Sequence, residues 1–508
     1  MGDSPTGSAA PATGRRAAPT ADMAVSTLGL MTAAAIVTSL RGLPMMAKEE
    51  LTMFAYIAFS TFLFLVPAGL VAAELGGAFG RRAGGLYVWV GEAFGRPVGF
   101  ATIFLAWVQN IIWYPTGLTF AATAAAYTVG KGDAANNHVY IGCFIIVAFW
   151  TCTAVALISN HFAGKVTKYG FVAGTVVPGL VLIALFLAWV ISGHSPGWDH
   201  ATAPAVTVES HGHDHPRWFP YISGLSGLSF LAGILLNFAG VESQGPHAME
   251  LKDPKRGYPA AIAVAATVAF GIFTLGALAV AGILPYQGID ITTGVFDALQ
   301  RSLSTLLDVG WPVYVLAGLI CYGALAGVLA WITGPSRGLL ATARDGLLPP
   351  FMQKTNKRGV QRNILFVQGI VVSAFACLYL AMDNVETVFF LISAMAVSLY
   401  LIVYMLMYAA AIRLRRTQPS LPRAFRVPGG DLGMWAVAGT GFAAVAFAFV
   451  LAFVPPAQLT VGSPALYVTM VVLGAVIVPA IPFVLERFKK PGWQPSGGTD
   501  GTDTTTTR

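Results

Sequence analysis

Thr38-Ser39-Leu40-Arg41-Gly42-Leu43-Pro44 interrupts an apolar run that is otherwise long enough to cross a lipid bilayer. Further along, Asn237-Phe238-Ala239-Gly240-Val241-Glu242-Ser243, followed by Pro246, interrupts another. A membrane-crossing helix needs about 20 apolar residues to span roughly 30 Å of hydrocarbon, and a polar break inside it frees backbone N–H and C=O groups that lipid cannot satisfy. Such a break is tolerated where it lines a cavity inside the protein. Each break also carries an ionisable residue, Arg41 in the first and Glu242 in the second. An Arg at a helix centre costs about 2.5–3.5 kcal/mol on insertion scales, so it has to face a cavity or a partner.

The rest of the chain supports a membrane setting. Of 508 residues, 56% are hydrophobic and only 10% charged, too little polar surface to cover a soluble globule of this size. Apolar runs recur from end to end without the alternation of a β-barrel, which predicts an all-α integral membrane fold. With Gly, Pro and charge as punctuation, twelve spans fall near 25–46, 52–76, 98–128, 139–158, 169–192, 221–248, 259–284, 311–335, 363–382, 387–411, 433–455 and 464–485. Residues 1–22 and 491–508, rich in Ala, Pro, Gly, Thr and Asp, read as disordered tails flanking a transmembrane domain over 23–490. No cleavable signal peptide is expected, because the first apolar run continues into a full span. Cys143, Cys152, Cys321 and Cys377 all fall inside spans and read as small packing residues, with no disulfide and no metal.

Charge fixes the expected sidedness. With the N-terminus in the cytoplasm, only Lys48, Lys131, Arg217 and Arg301 among the 30 basic residues fall outside, and Arg41 lies within a span. The positive-inside rule therefore puts both termini in the cytoplasm, and this asymmetry accounts for the net charge of +7 without nucleic acid. Five spans separate the two breaks, so the first runs outward and the sixth inward, the relation of two inverted repeats with a site at their interface. The repeats would cover about 25–192 and 221–411, with two further helices over 433–485. A half-helix starting after Gly42 would offer N–H groups and a positive dipole end to a carboxylate, and exposed carbonyls could take an ammonium. A site with both poles suits a zwitterion. Thr38, Ser39, Arg41 and Gly42 on one side and Gly240, Val241 and Glu242 on the other are its candidate lining residues. Arg41 and Glu242 read either as a carboxylate fork for substrate and a proton acceptor or ammonium ligand, or as a structural ion pair, with outward snorkelling of Arg41 from near its span's end as a further alternative; Glu74 reads as a structural cap or gate residue. Trp331, and Tyr400 with Tyr404 one turn apart, are candidate cavity aromatics.

Several motifs carry a resemblance. They are Ala73-Glu74-Leu75 with Gly84-Gly85-Leu86-Tyr87-Val88-Trp89-Val90; Gly240-Val241-Glu242 with His247 and Pro254, Gly257, Tyr258 and Pro259; Trp331-Ile332-Thr333-Gly334-Pro335-Ser336-Arg337-Gly338 with Leu347-Leu348-Pro349; and Phe425-Arg426-Val427-Pro428-Gly429-Gly430. From about Leu28 to Lys490 the chain resembles the amino acid–polyamine–organocation superfamily, and most closely its bacterial glutamate/GABA antiporters. The resemblance implies a LeuT-like five-plus-five fold plus two helices, alternating access, amino acid exchange, and substrate contacts at Gly240, Val241, Glu242, Trp331, Tyr400 and Tyr404. Arg41 stands where those antiporters have a Tyr, and Gly327 where they have a Glu. Gaining Arg and losing Glu favours acidic or neutral amino acids over arginine, lysine and polyamines. The chain also ends soon after Lys490, without the longer C-terminal plug of those antiporters.

His194, His200, His211, His213 and His215, interleaved with Asp199, Glu209 and Asp214, form a His-rich loop. Metal capture or pH sensing would be open to it, but it is read as a solvated loop, and no metal or cofactor is assigned. Thr333 and Ser336 could offer oxygens to sodium, without a specific constellation. A surface helix is expected within 337–362, held by basic residues at the headgroups. No HExxH, Walker or nucleophile-elbow motif supports an integral-membrane enzyme. A proton-coupled symporter and a non-transporting amino acid sensor are the alternatives to an antiporter.

Overall fold

The computed structural model describes residues 24–79, 82, 84–199, 218, 225–243, 251–382, 384–456 and 463–493. The N-terminal tail, the C-terminal tail from 494, Pro246, His247 and the His-rich loop from His200 to His215 lie outside these residues. Among the described residues, eleven helices are long and apolar enough to cross a membrane, and a bent pair makes twelve. The bent pair is α1 (Val25–Ile36) and α2 (Leu43–Ala47). The others are α3 (Glu50–Phe79), α5 (Arg96–Thr128), α6 (His138–Ile158), α7 (Phe162–Ile191), α8 (Leu225–Ser243), α9 (Lys255–Ile283), α11 (Pro312–Arg344), α12 (Arg362–Ala381), α13 (Val385–Thr417), α14 (Gly430–Leu451) and α15 (Pro464–Arg487). Each of the twelve expected spans has its helix. Two shorter helices, α4 (Leu86–Phe94) and α10 (Gly294–Leu307), lie between spans.

Helix contacts grade from centre to periphery. In α13 and α5, 89% and 83% of the apolar window is buried inside the protein, against 39% for α14 and 17% for α15. The last two helices therefore clad a bundle whose centre is α5, packed by α11 and α13. Lipid tails are as apolar as Leu, so packing and internal hydrogen bonds, rather than hydrophobic burial, hold this centre together.

Side-chain contacts sort the loops to two ends. At one end Tyr127 donates to Asp297, and Lys48 lies 5.6 Å over the Tyr286 ring. At the other, Tyr87 donates to Asp345 at 2.8 Å, Asn356 to the Leu157 carbonyl at 2.9 Å, and Gln353 to the Trp493 carbonyl at 2.8 Å.

The surface helix expected within 337–362 is absent. Residues from Arg337 to Arg344 continue α11, and a short 3-10 turn, Pro350–Gln353, follows. Pro335 removes one backbone donor inside α11, but the helix runs through. There Ser336 Oγ donates to the Ile332 carbonyl and accepts from Gln361 Nε2 at 2.7 Å, so this hydroxyl is committed to structure.

Candidate functional site

α1 ends at Ile36, where Val37 leaves helical geometry (φ −88°, ψ 69°), and the chain is extended at Ser39 (φ −164°, ψ 171°). A 3-10 turn over Leu40–Gly42 leads into α2, which is bent 49° from α1. The new half-helix is partly capped from within: Arg41 N–H donates to Ser39 Oγ at 3.4 Å, and Leu43 N–H to the Leu40 carbonyl. In α8 the regular helix stops at Asn237, and Gly240 adopts φ +119°, a conformation that a side chain resists.

The two breaks touch. A Cβ on Gly240 would lie 2.8 Å from the Ala35 carbonyl and 3.0 Å from the Trp331 ring, and one on Gly42 would lie 2.7 Å from the Asn237 amide. A third close approach brings Gly327 of α11 against the Thr38 carbonyl, 2.8 Å from where its Cβ would be. A longer residue at 327 has no room while Thr38 sits there.

Between the breaks lies a cavity of about 40 Å³. Thr38, Ser39, Arg41, Trp331 and Tyr400 line it, with Gln109, Asn110 and Trp113 of α5, Asn237 of α8 and Phe273 of α9. Gly42 lines a second, smaller cavity beyond Arg41. Gly240, Val241, Glu242 and Tyr404 are not in the lining and stand behind the wall. The α5 residues went unassigned in the sequence, although the adjacent amides Gln109-Asn110 in mid-span were a signal. Gln109 Oε1 is buried with no hydrogen-bond donor among the described residues, while Asn110 Nδ2 donates to the Ala106 carbonyl at 2.7 Å.

Arg41 and Glu242 do not pair. Arg41 Nη1 donates to Thr116 Oγ1 at 3.1 Å, and the guanidinium carbon lies 5.3 Å from the Trp113 ring and 5.7 Å from the Phe389 ring. Glu242 instead accepts from Tyr400 OH at one carboxylate oxygen, and at the other from Tyr404 OH and, at 3.2 Å, from Gly240 N–H. Gly240 N–H also donates to Tyr404 Oη at 2.9 Å. Three donors satisfy the carboxylate without a cation, which is why it has no need of Arg41. Tyr400 links the cavity to the carboxylate behind it: it lines the cavity and stands edge-on to Trp331 at 6.4 Å, while its hydroxyl donates to Glu242.

Glu74 belongs to a separate, buried cluster at the other end of the bundle. Arg415 of α13 grips both its oxygens at 2.5 and 2.6 Å, Arg423 approaches at 3.0 Å, and Val427 N–H donates at 2.7 Å. This ties α3 to the end of α13 and to the segment that follows it. Among the described residues no cluster of three or more His, Cys, Asp or Glu could hold a metal ion.

Twelve spans, two of them broken against each other around a polar, aromatic-walled cavity, define a membrane transporter of the broken-helix kind. Comparison with known sequences makes the class specific, for the amino acid permease profile matches residues 21–476, and the chain belongs to that family. An uncharacterized transporter of Legionella pneumophila is 33% identical over 451 residues, 89% of this chain and 94% of that protein. A glutamate/gamma-aminobutyrate antiporter of Lactococcus lactis is 28% identical over 454 residues, covering 89% and 88%. A probable agmatine/putrescine antiporter of the same species is 23% identical over 369 residues, covering 72% and 74%.

Proposed function

We propose that this protein is a secondary active transporter that exchanges acidic or neutral amino acids by alternating access. Its two inverted repeats rock about the cavity between the breaks, and both termini face the cytoplasm of the cell membrane. The observation that carries the reading is Arg41 on the cavity wall, a guanidinium that no carboxylate of the described residues neutralises. A desolvated cation of this kind favours a ligand that brings a carboxylate and disfavours a cationic one. Membership of the amino acid permease family and similarity to proteins named glutamate/gamma-aminobutyrate antiporters support the amino acid as cargo and exchange as mode.

Thr38, Ser39, Arg41, Gly42, Trp331 and Tyr400 bind the substrate in this reading. Gly240, Val241 and Tyr404 shape the wall, and Glu242 carries the coupling proton. Binding to the folded state alone stabilises a protein by about 2.7 kcal/mol at a ligand concentration one hundred times Kd. Thermal unfolding of the purified protein against a panel of amino acids and polyamines tests the reading. Acidic or neutral amino acids raise the midpoint saturably, and Arg41→Ala abolishes the rise. A rise with putrescine or arginine alone would sink it.

A further inference from the structure

A second cavity of about 20 Å³ lies on the α2 side of Arg41, separate from the central one but sharing Arg41, Leu236 and Asn237 as a common wall. Its other walls include Gly42, Met45, Phe389 and Ser393. Two features set it apart from a packing gap. Ser393 Oγ is buried and has no hydrogen-bond partner among the described residues, in a side chain only 7% exposed. A buried hydroxyl without a partner costs about 1–3 kcal/mol, so it is retained where something else satisfies it. The Arg41 guanidinium, held between Trp113 and Phe389, has five N–H donors, of which one is engaged among the described residues, with Thr116.

We infer that this cavity is a subsite for one small anionic group, held between the Arg41 guanidinium and the Ser393 hydroxyl. Its volume, about half that of the central cavity, admits about one or two water-sized groups. Met45, Phe389 and Val397 make dry walls, where charge–charge attraction is weakly screened. Arg41 borders both cavities, so the group has two sources of the same chemistry: the side-chain carboxylate of an acidic amino acid seated in the central cavity, or a free anion of chloride size. The first source rests on the central cavity being the transport site, whereas the second does not.

Thermal unfolding of the purified full-length protein at constant ionic strength tests the inference, because screening by salt is then unchanged. Chloride and formate are titrated against gluconate, which is too large for the cavity, each with and without glutamate or glutamine. A saturable rise of the midpoint with chloride or formate, its apparent Kd weakened about tenfold in Ser393→Ala, supports the subsite. If glutamate competes with chloride while glutamine adds to it, the substrate carboxylate is the occupant. If both amino acids add to chloride, the occupant is the free anion. No rise with chloride, formate or glutamate over gluconate and glutamine overturns the subsite. Equal rises in wild type and Ser393→Ala overturn it too, since the hydroxyl then holds nothing. A saturable chloride effect without any effect of amino acids leaves the subsite standing and counts against the transport reading alone.

Discussion

Gly240→Ala probes the contact on which the site is built. Gly240 sits at φ +119°, and its added Cβ would meet the Ala35 carbonyl at 2.8 Å and the Trp331 ring at 3.0 Å. Holding a non-glycine residue in that backbone region costs about 1–3 kcal/mol. Pushing a methyl against backbone in a packed interior adds about 1–3 kcal/mol more. The closed arrangement of the two breaks is thus disfavoured by about 2–6 kcal/mol, and at roughly 1.4 kcal/mol per tenfold its population falls at least about thirtyfold. Counterflow of labelled substrate into liposomes should slow by a similar factor. Gly271→Ala is the control, since its Cβ would meet nothing within 4 Å. Gly240→Ala transporting as fast as Gly271→Ala, with an unchanged thermal midpoint, would refute the reasoning.

Three other outcomes are expected. Glu74→Ala takes from Arg415 and Arg423 their buried carboxylate and leaves Arg415 only the exposed Asp431 at 3.9 Å; loss of one partner of a buried pair costs about 3–5 kcal/mol, so thermal unfolding in detergent should show a clear drop, and a midpoint equal to wild type would mean that the cluster holds nothing. Glu242→Gln should flatten the pH dependence of transport while substrate binding persists, and an unaltered profile removes Glu242 from coupling. Asp297, on α10 outside the spans, is pushed above its ordinary value by burial, against the opposing hydrogen bonds from Thr293 and Tyr127. Its folded form therefore binds the proton more tightly than the unfolded chain, a stabilising contribution complete below about pH 3.9 and lost as pH rises through the raised value. Asp297→Asn should remove that fall from a plot of unfolding midpoint against pH, and an identical plot contradicts the assignment.

The spans were legible because lipid imposes a length and a composition, and the breaks because Gly, Pro and charge inside an apolar run have few other uses. Helix ends were harder to place. α5, α11 and α13 each run 33 residues, well past the hydrocarbon, where polar residues such as Arg344 and Thr417 give no stop signal. α4 hid between Gly85 and Gly95, both at positive φ, in a stretch too short to count as a span. Pairings across the fold were least visible. Arg41 and Glu242 looked like partners because each needed one, but Thr116 is 75 residues from Arg41, and Tyr400 and Tyr404 are 158 and 162 from Glu242. Only tertiary packing brings those neutral donors and acceptors close enough to make the ion pair unnecessary.

Exchange itself is the central claim, and counterflow measures it directly. Liposomes carrying the full-length protein and loaded with an unlabelled amino acid panel should accumulate labelled glutamate or a neutral amino acid rapidly, and those carrying Arg41→Ala should not. Folded, inserted protein that exchanges no amino acid at acidic or neutral pH would contradict the account and leave a ligand-binding sensor in its place.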